Sequence, residues 1–348
     1  MPKWVDLAQA GWRLWRLLDW RPIREQAETP LRVELLGNGP AAERAVDLLA
    51  GVRSLTRRPL EALPANATPD LVLLAPSDDP TALATATRVA LDCEERGVAS
   101  LLLVAPGTAP LPAGAAYVVV EPADPSEEEQ LASALIEALP EDRRLAAARE
   151  APTLRAPLAR RLIQEVSFAN AQFALVTNIP TLLPGFGTAA GVGADILVLT
   201  TNQIVLVYRM AALWGAPLGE PRAIIAEALP VVGGAFVWRT AARALVSALP
   251  AIAALAPKVG IAYVGTYVVG ALASAYYARG LRPSPEQVRE IEAEAKQALT
   301  EVWHRLRPAR PASSSEPPAG PTPLRAPQPT STLPPPTASR ESGGMGAS

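Results

Sequence analysis

Reactive side chains are scarce in this chain. Cys93 is the one cysteine and His304 the one histidine among 348 residues. An intrachain disulfide and a thiolate metal cluster are therefore excluded, and so is most histidine-based acid–base catalysis. Lysine occurs only at Lys3, Lys258 and Lys296, so arginine supplies nearly all the positive charge. A formal net charge of −2 argues against a nucleic-acid binder driven by phosphate neutralisation. No cleavable signal pattern is expected at the amino terminus, where Asp6, Arg13, Arg16 and Asp19 interrupt the apolar residues. Charge of either sign is missing over two long stretches, Val166–Ala194 and Val259–Ala278. About 20 apolar residues are enough to cross a bilayer as a helix, so both stretches predict a membrane-embedded or lipid-facing helical domain.

The remaining organisation follows from periodicity and turn residues. Residues 1–26 form a leader in which Trp4, Leu7, Leu14, Trp15 and Leu18 fall on one helical face, opposite Asp6, Gln9, Arg13 and Arg16. Such a face suits a bilayer interface, and equally a dock on the chain's own domain. Residues 31–150 read as βαβα, with strands at Leu31–Leu36, Asp70–Ala75, Ala99–Ala105 and Ala115–Val120, and one more near Val52–Leu55. Helices are expected from Ala41 to Leu49, Thr81 to Arg96 and Ser126 to Leu139. Short apolar strands alternating with helices predict a small, mostly parallel, Rossmann- or GTPase-like sheet. Residues 141–161 read as a charged connecting arm that becomes a helix. A hydrophobic helical domain then spans 155–306, with helices near 158–179, 188–214, 221–248 and 257–279. Ser284 is expected to cap a charged helix over 285–306. Eleven prolines lie in the 307–348 tail, a composition that predicts disorder.

Three groups of residues are candidates for chemistry or packing. The first βα turn carries Gly37, Gly39 and Ala42 in a G-x-G-x-x-A pattern, which can bring backbone N–H groups against a pyrophosphate. It can also be no more than a tight turn. Read as a phosphate loop it fails, because Ala42, Glu43 and Arg44 stand where Gly, Lys and a hydroxyl are required. The second group is Asp195, Asn202 and Gln203 inside an apolar helix. An intramembrane acid faces a bundle interior, as an ion site or as a structural partner of Arg239 or Arg243. The third is a stripe of small residues at Ala262, Thr266, Gly270 and Ser274, which lets another helix approach closely. Arg160, Arg161, Arg209, Arg279 and Arg282 fit a cytoplasmic side, with the Pro180–Gly187 turn opposite.

The segment from about 160 to 280 resembles the hydrophobic helical domain of YcjF-type proteins, in which a GTPase-like α/β domain precedes it. The resemblance is carried by Ile179-Pro180, Pro184-Gly185, Asp195, Gln203, Met210, Trp214-Gly215, Gly260, Thr266, Gly270 and Tyr277. It implies a degenerate GTPase-like domain, since the phosphate-loop Lys and Ser are missing and Ala105-Pro106-Gly107-Thr108 stands where a guanine-reading motif would be. The expectation is a non-catalytic scaffold or regulatory protein of the bacterial inner membrane, with the α/β domain and tail cytoplasmic and no cofactor. Its partners would be the bilayer, a second protein and possible further copies of itself, and not nucleic acid. Two alternatives stay open. One is a NAD(P)- or GTP-binding sensor or enzyme using the Gly37 turn. The other is a small ion transporter or channel built on Asp195, Asn170, Asn178 and Asn202.

Overall fold

The computed structural model describes residues 18–61, 63–77, 79–106, 116–119, 125–178, 189–232 and 256–306. The leader before residue 18, the Pro180–Gly187 turn, Gly233-Gly234, Arg239, Arg243 and the 307–348 tail lie outside them, so the expectations placed there have no structural counterpart.

Five parallel strands form one sheet in the order β2-β1-β3-β4-β5. They are β1 (Arg32–Gly37), β2 (Ser54–Arg58), β3 (Leu71–Ala75), β4 (Ser100–Val104) and β5 (Tyr117–Val119). The central β3 is buried at every position, as an apolar strand covered on both faces must be. Leu36, Val72, Leu74, Leu102 and Val104 pack there with Ala86, Val89, Ala90 and Cys93 of α3. Helices α2 (Pro40–Leu48), α3 (Pro80–Glu95) and α4 (Pro125–Ala138) accompany the sheet, whereas α1 (Arg21–Glu28) lies against the segments 141–150 and 189–213. Asp79 caps α3: its carboxylate accepts the Thr81 N–H at 3.1 Å. The Thr81 hydroxyl, and then this amide, hold the Asp79 carboxyl below the usual carboxylate range.

Two strands depart from the expectation. β2 runs over Ser54–Arg58 rather than ending at Leu55, because it registers with β1 from Arg32↔Ser54 to Leu36↔Arg58. As an edge strand it is largely exposed. β5 is shorter than expected, since its partners on β4 are Leu102 to Val104 only. Among the described residues no helix crosses from β2 to β3. The crossover is an irregular segment, held because the Arg96 guanidinium donates to the carbonyls of Leu63 (3.3 Å), Pro64 (3.1 Å) and Ala67 (2.8 Å).

The connecting arm is an integral part of the packing. Two short 3₁₀ turns, Glu141–Arg143 and Pro152–Leu154, flank α5 (Arg144–Glu150), and Leu145, Ala146, Ala147, Ala148, Ala151 and Leu154 are buried. Glu150 accepts the backbone N–H of Leu31 (3.4 Å) and of Arg53 (3.1 Å) at the entry to β1 and β2. Arg143 reaches the nearly buried Asp70 at 3.2 Å, and the same carboxylate accepts the Arg32 N–H at 2.9 Å. Thr153 donates to the Leu48 carbonyl. On the other side Arg149 donates to the carbonyls of Ala212 (2.9 Å) and Ala216 (3.0 Å).

Those last carbonyls belong to the end of a helical layer made of α6 (Arg155–Asn178), α7 (Ala189–Leu213), α8 (Pro221–Val232) and α9 (Ala256–Arg279), followed by α10 (Pro285–Leu306). Of the expected third helix, 221–232 is described, with Pro230 inside it. Ser284 does cap α10, accepting the Gln287 N–H at 3.3 Å while Gln287 accepts the Ser284 N–H at 2.9 Å. This is the reciprocal capping box. Among the described residues one helix is long and apolar enough to cross a membrane, Val259–Arg279, and 72% of its apolar window is buried in the protein. The first uncharged stretch does not give a second such helix there, because it is divided between the end of α6 and the start of α7. Val198–Leu213 is a shorter apolar helix.

Cys93 provides a check on the sheet core. Burial, and then the neighbouring Asp92, push its thiol above the ordinary range, and the side chain has no exposed surface. A thiol reagent at pH 8 should therefore modify the folded protein at least tenfold more slowly than the unfolded chain, with release of the block tracking denaturant unfolding. Rapid native labelling would contradict this packing.

Candidate functional site

The β1–α2 turn lies where the chain order of the sheet reverses, between β1 and β3, the usual ligand position in open α/β sheets. Its residues show why the turn has this composition. Gly37 has φ +112°, and a Cβ there would stand 2.0 Å from the Ala75 carbonyl oxygen. Its glycine is thus required by the close approach of β3. Gly39 has φ +107°, but a Cβ there would meet nothing within 4 Å. Pro40 opens α2, and Ala42 is fully buried beneath it. An α-helix N-terminus favours an anion, yet Glu43 occupies the first turn of α2. Its carboxylate pairs with Arg57 of β2 at 2.5 Å. Arg58 pairs in the same way with Glu34 of β1 at 2.9 Å. The edge strand beside this turn thus carries arginines already matched to carboxylates.

The second candidate site lies inside the helical layer, and there the structure brings the predicted residues together. Asn202 donates to Asn170 Oδ1 at 2.6 Å. Asn170 donates to Thr266 Oγ1 at 2.8 Å, and Gln203 donates to the same hydroxyl at 3.3 Å. Asn170 and Thr266 are fully buried. One polar cluster thus ties α6, α7 and α9, as interhelical hydrogen bonds do in apolar surroundings. Every member is neutral, so the cluster joins helices without a titrating group of its own. Asp195 sits on the second turn of α7, about two turns from Asn202; its side chain is outside the described residues.

The small-residue stripe meets partners within the chain. A Cβ on Gly270 would lie 2.7 Å from Leu206 Cδ2 and 2.8 Å from Ile163 Cγ1, so α7 and α6 both close on this position. Ala262 is buried, and Ser274 accepts the Trp214 indole N–H at 3.0 Å. These pairings also set direction: α9 runs antiparallel to α6 and parallel to α7. Arg160, Arg161, Arg209 and Arg279 consequently share one end of the three helices, and Asp195 and Lys258 stand toward the other.

Sequence reasoning missed the carbonyl-binding arginines and the carboxylates of the arm. The available signal was the run Leu145-Ala146-Ala147-Ala148 between charged residues, too small and apolar for a solvated linker. No protein-family model matches the chain, and no curated protein matches it.

Two pairs of variants separate packing from ligand binding. Gly37→Ala should lower stability by about 3 kcal/mol or more through clash and backbone strain, and Gly39→Ala by about 1–2 kcal/mol through φ alone; thermal unfolding by circular dichroism reads the difference. Thr266→Val removes the acceptor shared by Asn170 and Gln203 and should cost about 2 kcal/mol, whereas Ser284→Val at the half-buried cap should cost about 1 kcal/mol.

Proposed function

We propose that the protein is a membrane-associated, non-catalytic scaffold, in which a GTPase-like α/β layer that has lost nucleotide binding presents an interaction surface and the helical layer holds it at the bilayer. The observation that carries this reading is α9. The 21 residues Val259–Arg279 contain an apolar 18-residue window with a mean hydropathy of 1.4. At about 1.5 Å per residue they are about 31 Å long, the thickness of a hydrocarbon core. The common end of α6, α7 and α9 that carries arginine, Trp214, Tyr276 and Tyr277 suits a water–lipid boundary, and the uncharged run Val259–Ala278 suits the hydrocarbon. The proposal extends to a bacterial inner membrane with the sheet on the cytoplasmic side, the arrangement that the YcjF-type resemblance implies.

The non-catalytic part rests on the β1 turn. The space beside Gly37 is filled by the Ala75 carbonyl, and Glu43 sets a negative charge where a phosphate would need a positive one. The sensor reading asks the same turn to receive a nucleotide, and the channel reading asks for an ionisable group beside the polar cluster, which among the described residues is composed of amides and a hydroxyl.

Alkaline carbonate extraction of membranes from cells expressing the full chain tests the proposal. Retention in the pellet is expected, with Gly270→Leu weakening it by opening α9 from Leu206 and Ile163. Quantitative release of the wild-type chain into the supernatant would refute the membrane reading, and co-purification of stoichiometric GTP or NAD(P) would refute the nucleotide-free one.

A further inference from the structure

We propose that the turn from Arg279 to Arg282 docks on anionic phospholipid headgroups, with Leu281 entering the interfacial layer. The proposal rests on the membrane reading above and names the lipid that the charged end of the helices prefers. α9 stops at Gly280, which has φ +68° and donates its N–H to the Tyr276 carbonyl at 2.7 Å. After such a left-handed stop an apolar residue commonly folds back on the helix's last turn. Leu281 does not: it is 71% exposed, more than any other large apolar side chain among the described residues. Arg279 and Arg282 flank it, both exposed and neither in an ion pair among the described residues.

Two acids close to the turn are already engaged. Glu227 of α8 accepts the Tyr276 hydroxyl at 2.7 Å, and Glu286 of α10 pairs with Arg289 at 2.9 Å. Two cations free of carboxylate partners thus bracket a leucine at the end of a helix long enough to cross a bilayer. Tyr276 and Tyr277 stand one turn before, with the Tyr277 hydroxyl bonded to the Ile224 carbonyl at 2.9 Å. Arginine, tyrosine and an exposed leucine together match the anionic headgroup layer in both charge and polarity gradient. A soluble phosphate would satisfy the arginines and leave Leu281 in water, so the bilayer surface accounts for more of the turn.

The test dilutes the purified full chain from detergent into preformed vesicles of phosphatidylcholine, alone or with about one-third phosphatidylglycerol, at about 0.1 M salt, and measures flotation. Each arginine should favour the anionic vesicles about fivefold, so R279Q/R282Q should lose about thirtyfold of the preference. R279K/R282K should keep it, and L281S should weaken binding to the anionic vesicles severalfold while leaving the thermal unfolding midpoint unchanged. An unaltered preference in R279Q/R282Q, or loss in R279K/R282K, would overturn the docking proposal while wild-type binding to both vesicle types left the membrane reading intact. Absence of wild-type binding to either vesicle would overturn that reading, and the docking proposal with it.

Discussion

Charged side chains that satisfy backbone groups from a short arm hold this structure together. Glu150 meets the amides that open β1 and β2, and its neighbour Arg149 meets the carbonyls that close α7. Strand starts and helix ends expose unpaired peptide groups, and burying them unpaired would cost more than most single contacts return. Two consecutive residues of α5 therefore serve two different layers. The small side chains of Ala146, Ala147 and Ala148 let this helix lie close enough for both to reach. Gly51 shows how close that is, since a Cβ there would stand 2.3 Å from the Glu150 carbonyl oxygen.

The helical layer is organised by the same economy of size and polarity. Where α6, α7 and α9 come closest, Gly270 admits Ile163 and Leu206. One turn away Thr266 accepts two amide donors from the other helices. Dispersion and hydrogen bonding act together at this crossing, and both would operate in lipid, where burial from water supplies no attraction between helices. The stripe on α9 is consumed by these internal contacts. Any further partner must meet other surfaces, such as the edge of the sheet or the turn that follows α9.

Legibility in the sequence followed the kind of signal. The alternation of apolar runs with helices identified the parallel sheet, and Pro and Gly placed most element ends within a few residues. Asn202, Gln203, Thr266 and Gly270 stood out as polar or small residues in apolar helices, and the fold joins all four at one crossing. β2 was misplaced because an exposed edge strand containing Arg57 and Arg58 carries no apolar period, and only pairing with β1 defines it. The arm reads as a linker because its charge conceals a buried face; Arg149 and Glu150 look solvated until their backbone partners, far away in the chain, are known.

Composition and spacing alone determined that sulfur and histidine chemistry are nearly closed to this chain, that its strands pair mostly in parallel, and that it carries uncharged stretches as long as a bilayer is thick. These are local properties, set by side-chain type and period. Tertiary structure decided which glycine of the first turn is indispensable and what the small stripe packs against. It also decided whether the charges of the arm face water or peptide groups. Such outcomes depend on atoms distant in sequence arriving within a few ångströms, as when the Ala75 carbonyl closes on Gly37, and no local pattern encodes that approach.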